Sequence, residues 1–105
     1  MIGIDIIDIS RLKKRSNVFF NKIFSRRELE EAKSANFYEK IAGKWAAKEA
    51  AYKAGLIYAN KDIEILNDNL KPTIYINGNK QNHLVSISHE KKYAVAVVWT
   101  NNEKV

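Results

Sequence analysis

The stretch Trp45-Ala46-Ala47-Lys48-Glu49-Ala50-Ala51-Tyr52-Lys53 carries the residues best suited to chemistry. Ala, Lys and Glu are strong helix formers, so the segment is predicted to be helical. At about 3.6 residues per turn, Trp45, Glu49 and Lys53 share one stripe, and Lys44 and Lys48 a neighbouring one. A carboxylate one turn from an ammonium suits a site that binds a metal ion and a phosphate together. The metal takes the hard oxygen and the phosphate takes the cation. Alone, Glu49–Lys53 also reads as an exposed helix pair worth about 0.2–0.5 kcal/mol. Two further clusters shift that balance. Gly3-Ile4-Asp5-Ile6 places an acid in a strand that otherwise reads as buried, where a carboxylate must be paired or metal-bound. Val85-Ser86-Ile87-Ser88-His89 gathers hydroxyls and an imidazole at a strand end, where function concentrates.

These residues need elements to position them. Ile2 to Ile9 is β-branched and apolar apart from Asp5 and Asp8, and is predicted to be a buried strand. Ser10 is placed as an N-cap for a helix over Arg11 to about Lys22, with Leu12, Val18 and Phe19 or Phe20 as its apolar contacts. Ser25-Arg26-Arg27-Glu28 matches the capping box and starts a short helix to about Lys33. Ser34-Ala35-Asn36 breaks the pattern. A longer helix is expected from about Tyr38 to Ala54, with Gly55 as its C-terminal glycine. Gly43 inside that helix costs about 1 kcal/mol relative to Ala, which close approach of another group or simple tolerance would explain. Strands are expected at Asp62–Leu66, Pro72–Ile76, His83–Ser88 and Tyr93–Thr100, with turns at Asn77-Gly78 and Glu90-Lys91-Lys92. Strand, three helices, then four strands is an α+β order: a mostly antiparallel sheet packed against a long helix and shorter helices.

The 105 residues fit one domain, taken as 1–105, with a small core. Without cysteine there is no disulfide or thiolate metal site, which fits a reducing compartment. No apolar run approaches the ~20 residues of a membrane span, and Met-Ile-Gly-Ile-Asp is not a signal peptide. The expectation is a cytoplasmic protein with no membrane partner. The net charge is +6, and Arg11 to Arg27 holds seven bases and no acid. Such a stretch fits nucleic acid, an acidic protein surface, or a solvated face.

The three elements in order resemble the phosphopantetheinyl transferases, and among them the small bacterial holo-[acyl-carrier-protein] synthase type. The likeness runs from Gly3-Ile4-Asp5-Ile6 through Phe24-Ser25-Arg26-Arg27-Glu28-Leu29 to Ser86-Ile87-Ser88-His89. Trp45, Lys48, Glu49 and Lys53 satisfy the hallmark Trp/Phe-x-x-Lys-Glu-x-x-x-Lys. The resemblance implies transfer of the 4'-phosphopantetheine arm of coenzyme A, the co-substrate, to a serine of an acyl carrier protein. It implies Asp5 and Glu49 as ligands of Mg²⁺, with Lys53 on the phosphate under attack, so that Asp5, Glu49 and Lys53 form the catalytic set. Lys44, Lys48, Ser88 and His89 would join Lys53 around the coenzyme A phosphates. Arg11, Lys14, Arg15, Phe19 and Lys22 would dock the acidic carrier protein. A homotrimer with sites between subunits is implied too. The general base stays open among a metal-bound water, Glu49, Asp8 and Glu28. Trp45 and His83 read as packing and structural residues, and Asp8 also as an ion-pair partner of Arg11.

Two departures stand out. Lys44 occupies a position where relatives often carry Arg, keeping the charge without the bidentate fork. The segment Gly55–Lys61 is shorter and poorer in glycine than in many relatives, so coenzyme A contacts are not carried over to it. The rival class is a non-enzymatic basic nucleic-acid-binding module. It uses the basic stretch but leaves Asp5, Glu49 and His89 without a role. The strands also lack the aromatic platform of single-strand binders, so nucleic acid is not expected as a partner.

Overall fold

A computed structural model describes residues 1–101. Strand β1 (Ile2–Asp8) precedes four helices, α1 (Ser10–Lys13), α2 (Asn17–Ile23), α3 (Arg26–Ala32) and α4 (Phe37–Lys53). Five strands follow: β2 (Ile63–Asp68), β3 (Lys71–Ile76), β4 (Asn79–Lys80), β5 (Leu84–His89) and β6 (Tyr93–Trp99). The α+β class and the antiparallel pairing are as expected. The strands divide, however, into two three-stranded sheets, ordered β1-β6-β5 and β2-β3-β4. β1 pairs along its whole length with β6, from Ile2↔Trp99 to Asp8↔Tyr93.

The helix expected over Arg11–Lys22 is two helices. Ser16 ends the first run and caps α2, its hydroxyl accepting from the Phe19 amide at 3.3 Å. Ser10 is not a cap but the first helical residue; Asp8 accepts from its amide at 3.0 Å and its hydroxyl at 2.8 Å. Leu12 and Phe20 are buried as expected, whereas Val18 faces solvent. Ser25 and Glu28 form the complete capping box of α3. Gly55 adopts φ +97° and closes α4 with the paired bonds Leu56 N–H to Ala51 O and Gly55 N–H to Tyr52 O, both 3.0 Å. That is the Schellman arrangement, which only a left-handed residue allows without strain.

Helix α4 lies across β1-β6-β5, and the layer between them is built from small residues. Ala42, Ala46, Ala47, Ala50, Ala51 and Ala54 meet Ala94 and Ala96 of β6, all buried. Gly3 carries this approach to its limit. A Cβ there would stand 1.9 Å from Ala50 O and 2.8 Å from Ala54 N. At Gly43 a Cβ would meet Ile87 Cγ2 at 2.8 Å, so close approach accounts for that helical glycine.

The period of two in β1 sends Gly3, Asp5 and Ile7 toward α4 and Ile2, Ile4 and Ile6 to the opposite face. Those three are 69%, 58% and 60% exposed, so β1 is half-buried rather than buried as expected. On that open face the rows across β1, β6 and β5 are Ile2, Trp99 and Leu84; Ile4, Val97 and Ser86; and Ile6, Val95 and Ser88. Among the described residues no helix is long and apolar enough to cross a membrane.

Candidate active site

Close packing of β1 on the C-terminal half of α4 brings Asp5 to Lys53. The Lys53 ammonium donates to Asp5 Oδ1 at 2.8 Å and to the Ile4 carbonyl at 3.3 Å. The hydrogen bond to Asp5, and then its charge, hold the Lys53 ammonium above its ordinary pKa, and the Glu49 carboxylate adds to the same pull. One cation thus lies in the field of two carboxylates, one from a strand and one from a helix. Among the described residues no group of three or more Asp, Glu or His side chains gathers. The donor set offered by Asp5 and Glu49 is two hard carboxylates, the first of them paired with Lys53. Such a set suits Mg²⁺, which keeps several ligand positions for water and substrate oxygens. Glu49 also lines an open groove of about 540 Å³, walled by Tyr52, Leu56, Ile57, Tyr58 and Asn60.

Lys48, expected at the coenzyme A phosphates, lies elsewhere. Its side chain has no exposed surface. The ammonium meets Glu28 Oε1 at 2.7 Å, the Ile63 carbonyl at 2.8 Å, the Ile23 carbonyl at 2.9 Å and the Asn60 carbonyl. Four oxygens surround three N–H donors, which leaves none for a phosphate. Glu28 is sealed in turn, accepting from the Ser25 amide at 2.9 Å and the Ile65 amide at 2.8 Å. Burial pushes the Glu28 carboxyl up and the Lys48 ammonium down from their ordinary values, and their mutual attraction opposes both shifts. A carboxylate with no solvent access cannot take a proton from an incoming serine, so Glu28 is not the general base. Asp8 is a poor one as well, because its bonds to Ser10 lower its pKa. Asp8 is a turn anchor rather than a dedicated partner of Arg11.

The other expected phosphate residues sit along the N-terminal half of α4. Lys44 donates to Glu31 Oε1 at 2.5 Å and to the Ile65 carbonyl at 2.6 Å. It borders a cavity of about 250 Å³ that Lys40, Gly43, Pro72, Ile87 and His89 also line. His89 Nδ1 is 3.4 Å from Glu39 Oε2. Ser88 belongs to the open sheet face beside Val95, so it and His89 point to opposite sides of β5. From Lys44 to Lys53 the helix rises about 13 Å at about 1.5 Å per residue. One chain therefore brings Asp5, Glu49 and Lys53 together and, separately, Lys40, Lys44 and His89. It does not join the two groups.

The basic stretch presents a third surface. Phe19 packs edge-on against Trp45, with ring centroids 5.3 Å apart. The Arg11 guanidinium lies 5.7 Å from the Trp45 ring centroid, and that of Arg15 lies 4.7 Å from that of Phe19. Lys14 and Lys22 are exposed beside them. Trp45 is thus the floor of the basic patch. His83 is structural, its Nδ1 accepting from the Asn101 amide at 3.2 Å.

A family model described as the 4'-phosphopantetheinyl transferase superfamily matches residues 1–98. The holo-[acyl-carrier-protein] synthase of Chlamydia caviae is 41% identical, covering 94% of this chain and 94% of its own length. That of Mycoplasma capricolum is 44% identical over 91% of this chain and 89% of its own length. Among solved structures, the Helicobacter pylori holo-[acyl-carrier-protein] synthase in complex with coenzyme A superposes with a TM-score of 0.79. It is 33% identical and covers 94% of this chain and 98% of its own.

The chain belongs to the 4'-phosphopantetheinyl transferase superfamily.

Superfamily membership accounts for the three sequence elements occurring in order along the whole chain. The sequence did not reveal what Gly3 does, since a glycine before an acid carries no sign of the helix it must touch. Nor did it show Glu28 and Lys48 as one buried pair. The capping box identified the cap role of Glu28, but not the second use of the same carboxylate.

Proposed function

We propose that this superfamily member is a holo-acyl-carrier-protein synthase. It transfers the 4'-phosphopantetheine arm of coenzyme A to a serine hydroxyl of an apo-acyl carrier protein and releases adenosine 3',5'-bisphosphate. The observation that carries the reading is the Asp5–Lys53 contact of 2.8 Å with Glu49 beside it. Asp5 and Glu49 would hold Mg²⁺, which supplies charge neutralisation at the coenzyme A pyrophosphate when bound. Lys53 reaches the phosphoryl oxygens and offsets the charge that grows as the nucleotide leaves. The serine oxygen forms the new bond to the phosphorus that bears the pantetheine arm. The bond from that phosphorus to the oxygen bridging to the nucleotide breaks, and the electron pair departs with the bisphosphate. The serine proton leaves to water in the open groove that Glu49 lines.

Lys44, Lys40 and His89 surround the cavity offered to the nucleotide phosphates, and Lys44 keeps one N–H beyond its two protein partners for that purpose. Arg11, Lys14, Arg15, Phe19 and Lys22 form the carrier-protein surface, with cations for steering and an aromatic anchor at the centre. The two groups face different sides of α4's two halves without meeting, and the open sheet face exposes Ile2, Ile4, Ile6, Val97 and Trp99. A contiguous apolar face of this kind marks an interface. Both features support a homotrimer in which one copy completes the site of the next.

The deciding experiment incubates the protein with coenzyme A, Mg²⁺ and apo-carrier protein. The expected result is a mass gain of about 340 Da on the carrier protein, the mass of one arm moved by phosphoryl transfer. No gain, together with salt-sensitive binding to DNA or RNA, would instead favour a nucleic-acid-binding role.

A further inference from the structure

Lys48 adjoins Glu49 on α4 yet turns into the protein, and its ammonium is the meeting point of four segments. It takes the Ile23 carbonyl at the end of α2, the Asn60 carbonyl in the loop after α4, the Ile63 carbonyl at the start of β2, and Glu28 of α3. Three carbonyl oxygens aimed at one point repel each other, and only a cation holds them there. An apolar side chain of the same length would fill the space but would not gather the oxygens.

The loop between α4 and β2 depends on this gathering. Leu56 anchors its start through the helix-ending bond to Ala51. Ile57, Tyr58 and Ala59 are then exposed in succession. Among the described residues, the Asn60 carbonyl on Lys48 is the hydrogen bond that ties residues 57–61 back to α4; at the far end the Asp62 and Ile63 amides bond to Ala59, and Asp62 accepts from the Asn77 amide at 2.8 Å. This loop is the far wall of the groove that Glu49 lines. One side chain therefore fixes the loop wall while the next residue along the helix faces the groove.

We propose that Lys48 is a positioning residue for the transfer reaction: by clamping Asn60 and Ile63 to α4 it holds the loop wall and Glu49 in the geometry that binds Mg²⁺. It does so without touching coenzyme A. The metal part of this inference rests on the function proposed above; the clamp itself does not.

The test uses the double variant Glu28→Gln/Lys48→Met, which removes both charges and leaves neither buried alone. Hydrogen exchange followed by NMR compares the Asp62 and Ile63 amides, which close the loop on Ala59, with β6. The expected result is at least tenfold faster exchange in the loop, with β6 still protected. Calorimetric titration of coenzyme A in the presence of EDTA should give an affinity within twofold of the native protein. The apparent Mg²⁺ constant should rise at least tenfold with KM for coenzyme A unchanged. A tenfold loss of metal-free coenzyme A affinity would make Lys48 a direct phosphate contact and overturn the proposal. So would native loop exchange or a native Mg²⁺ constant in the double variant. If the double variant does not fold, Lys48→Arg gives the same reading. Its bulkier head cannot occupy the shared point, so loop exchange should rise at least threefold, and native exchange overturns the clamp. A native protein that transfers no phosphopantetheine would sink the proposed function, while the loop-exchange result still decides the clamp.

Discussion

Gly3→Ala tests how the fold builds the site. The added Cβ would lie 1.9 Å from Ala50 O and 2.8 Å from Ala54 N. Carbon and oxygen approach to about 3.3 Å, so β1 and α4 must separate by roughly 1.4 Å at this point. Both obstacles are backbone atoms of a helix held by its own hydrogen bonds, so no rotamer change relieves them. Overpacking of this kind costs about 1–3 kcal/mol, more where backbone must move. Replacing a strand glycine returns about 0.5–1 kcal/mol. With the cost at the upper end of that range, about 3 kcal/mol, the expected net loss is about 2–2.5 kcal/mol, or a Tm lower by roughly 10–15 °C in a domain of this size. The displacement also reaches Asp5, two residues along the same face of β1. Its 2.8 Å contact with Lys53 would open beyond hydrogen-bonding distance. Differential scanning calorimetry at fixed protein concentration reads the first effect, and the apparent Mg²⁺ constant for transfer reads the second. A variant with native Tm and native Mg²⁺ dependence would refute both the packing argument and its link to the site.

Glu49→Gln keeps the shape of the side chain and removes a carboxylate charge, and should lower Mg²⁺-dependent turnover by at least about 100-fold in the mass assay. Near-native turnover would remove Glu49 from the metal set. Arg11→Glu should raise KM for carrier protein at least about tenfold with KM for coenzyme A little changed, since it reverses a steering charge; equal changes would refute the docking role. Leu70 has φ +68° and is 96% exposed at the β2–β3 turn, so Leu70→Gly should stabilise by about 0.5–1 kcal/mol, read as a higher Tm. Asp5→Asn should bring the Lys53 pKa down toward 10.5, followed by ¹³Cε NMR, because the bond that raises it is lost. In the native protein the Lys53 contribution to stability is fully present below 10.5 and disappears as pH rises through the raised folded value. In the variant that alkaline loss should shrink, and an unshifted Lys53 would refute the contact.

The sequence disclosed those parts of the fold whose signals are local. The Ser25 capping box, the Gly55 helix end and the Asn77-Gly78 turn each arise from a few neighbouring residues, and each formed where the pattern placed it. The split of the first helix at Ser16 was missed because the basic run reads as continuous, and the competing cap bond outweighs propensity that is worth only tenths of a kcal/mol per residue. Division of the strands into two sheets depends on which chain segments meet across the fold, and alternation within a strand does not encode that. The site shows the same boundary. Asp5, Glu49 and Lys53 were legible because helical spacing and an acid in an apolar strand are visible in one dimension. Lys44 and Lys48 stand on one stripe of α4, and the family resemblance implied the same phosphates for both. Lys44 borders a cavity, whereas Lys48 enters a cage made by Glu28 and three carbonyls from segments 12 to 25 residues away. Whether a helical lysine serves a ligand or the fold depends on which oxygens the rest of the chain delivers to it. For Lys48 those oxygens come from carbonyls, and carbonyl positions leave no trace in residue type.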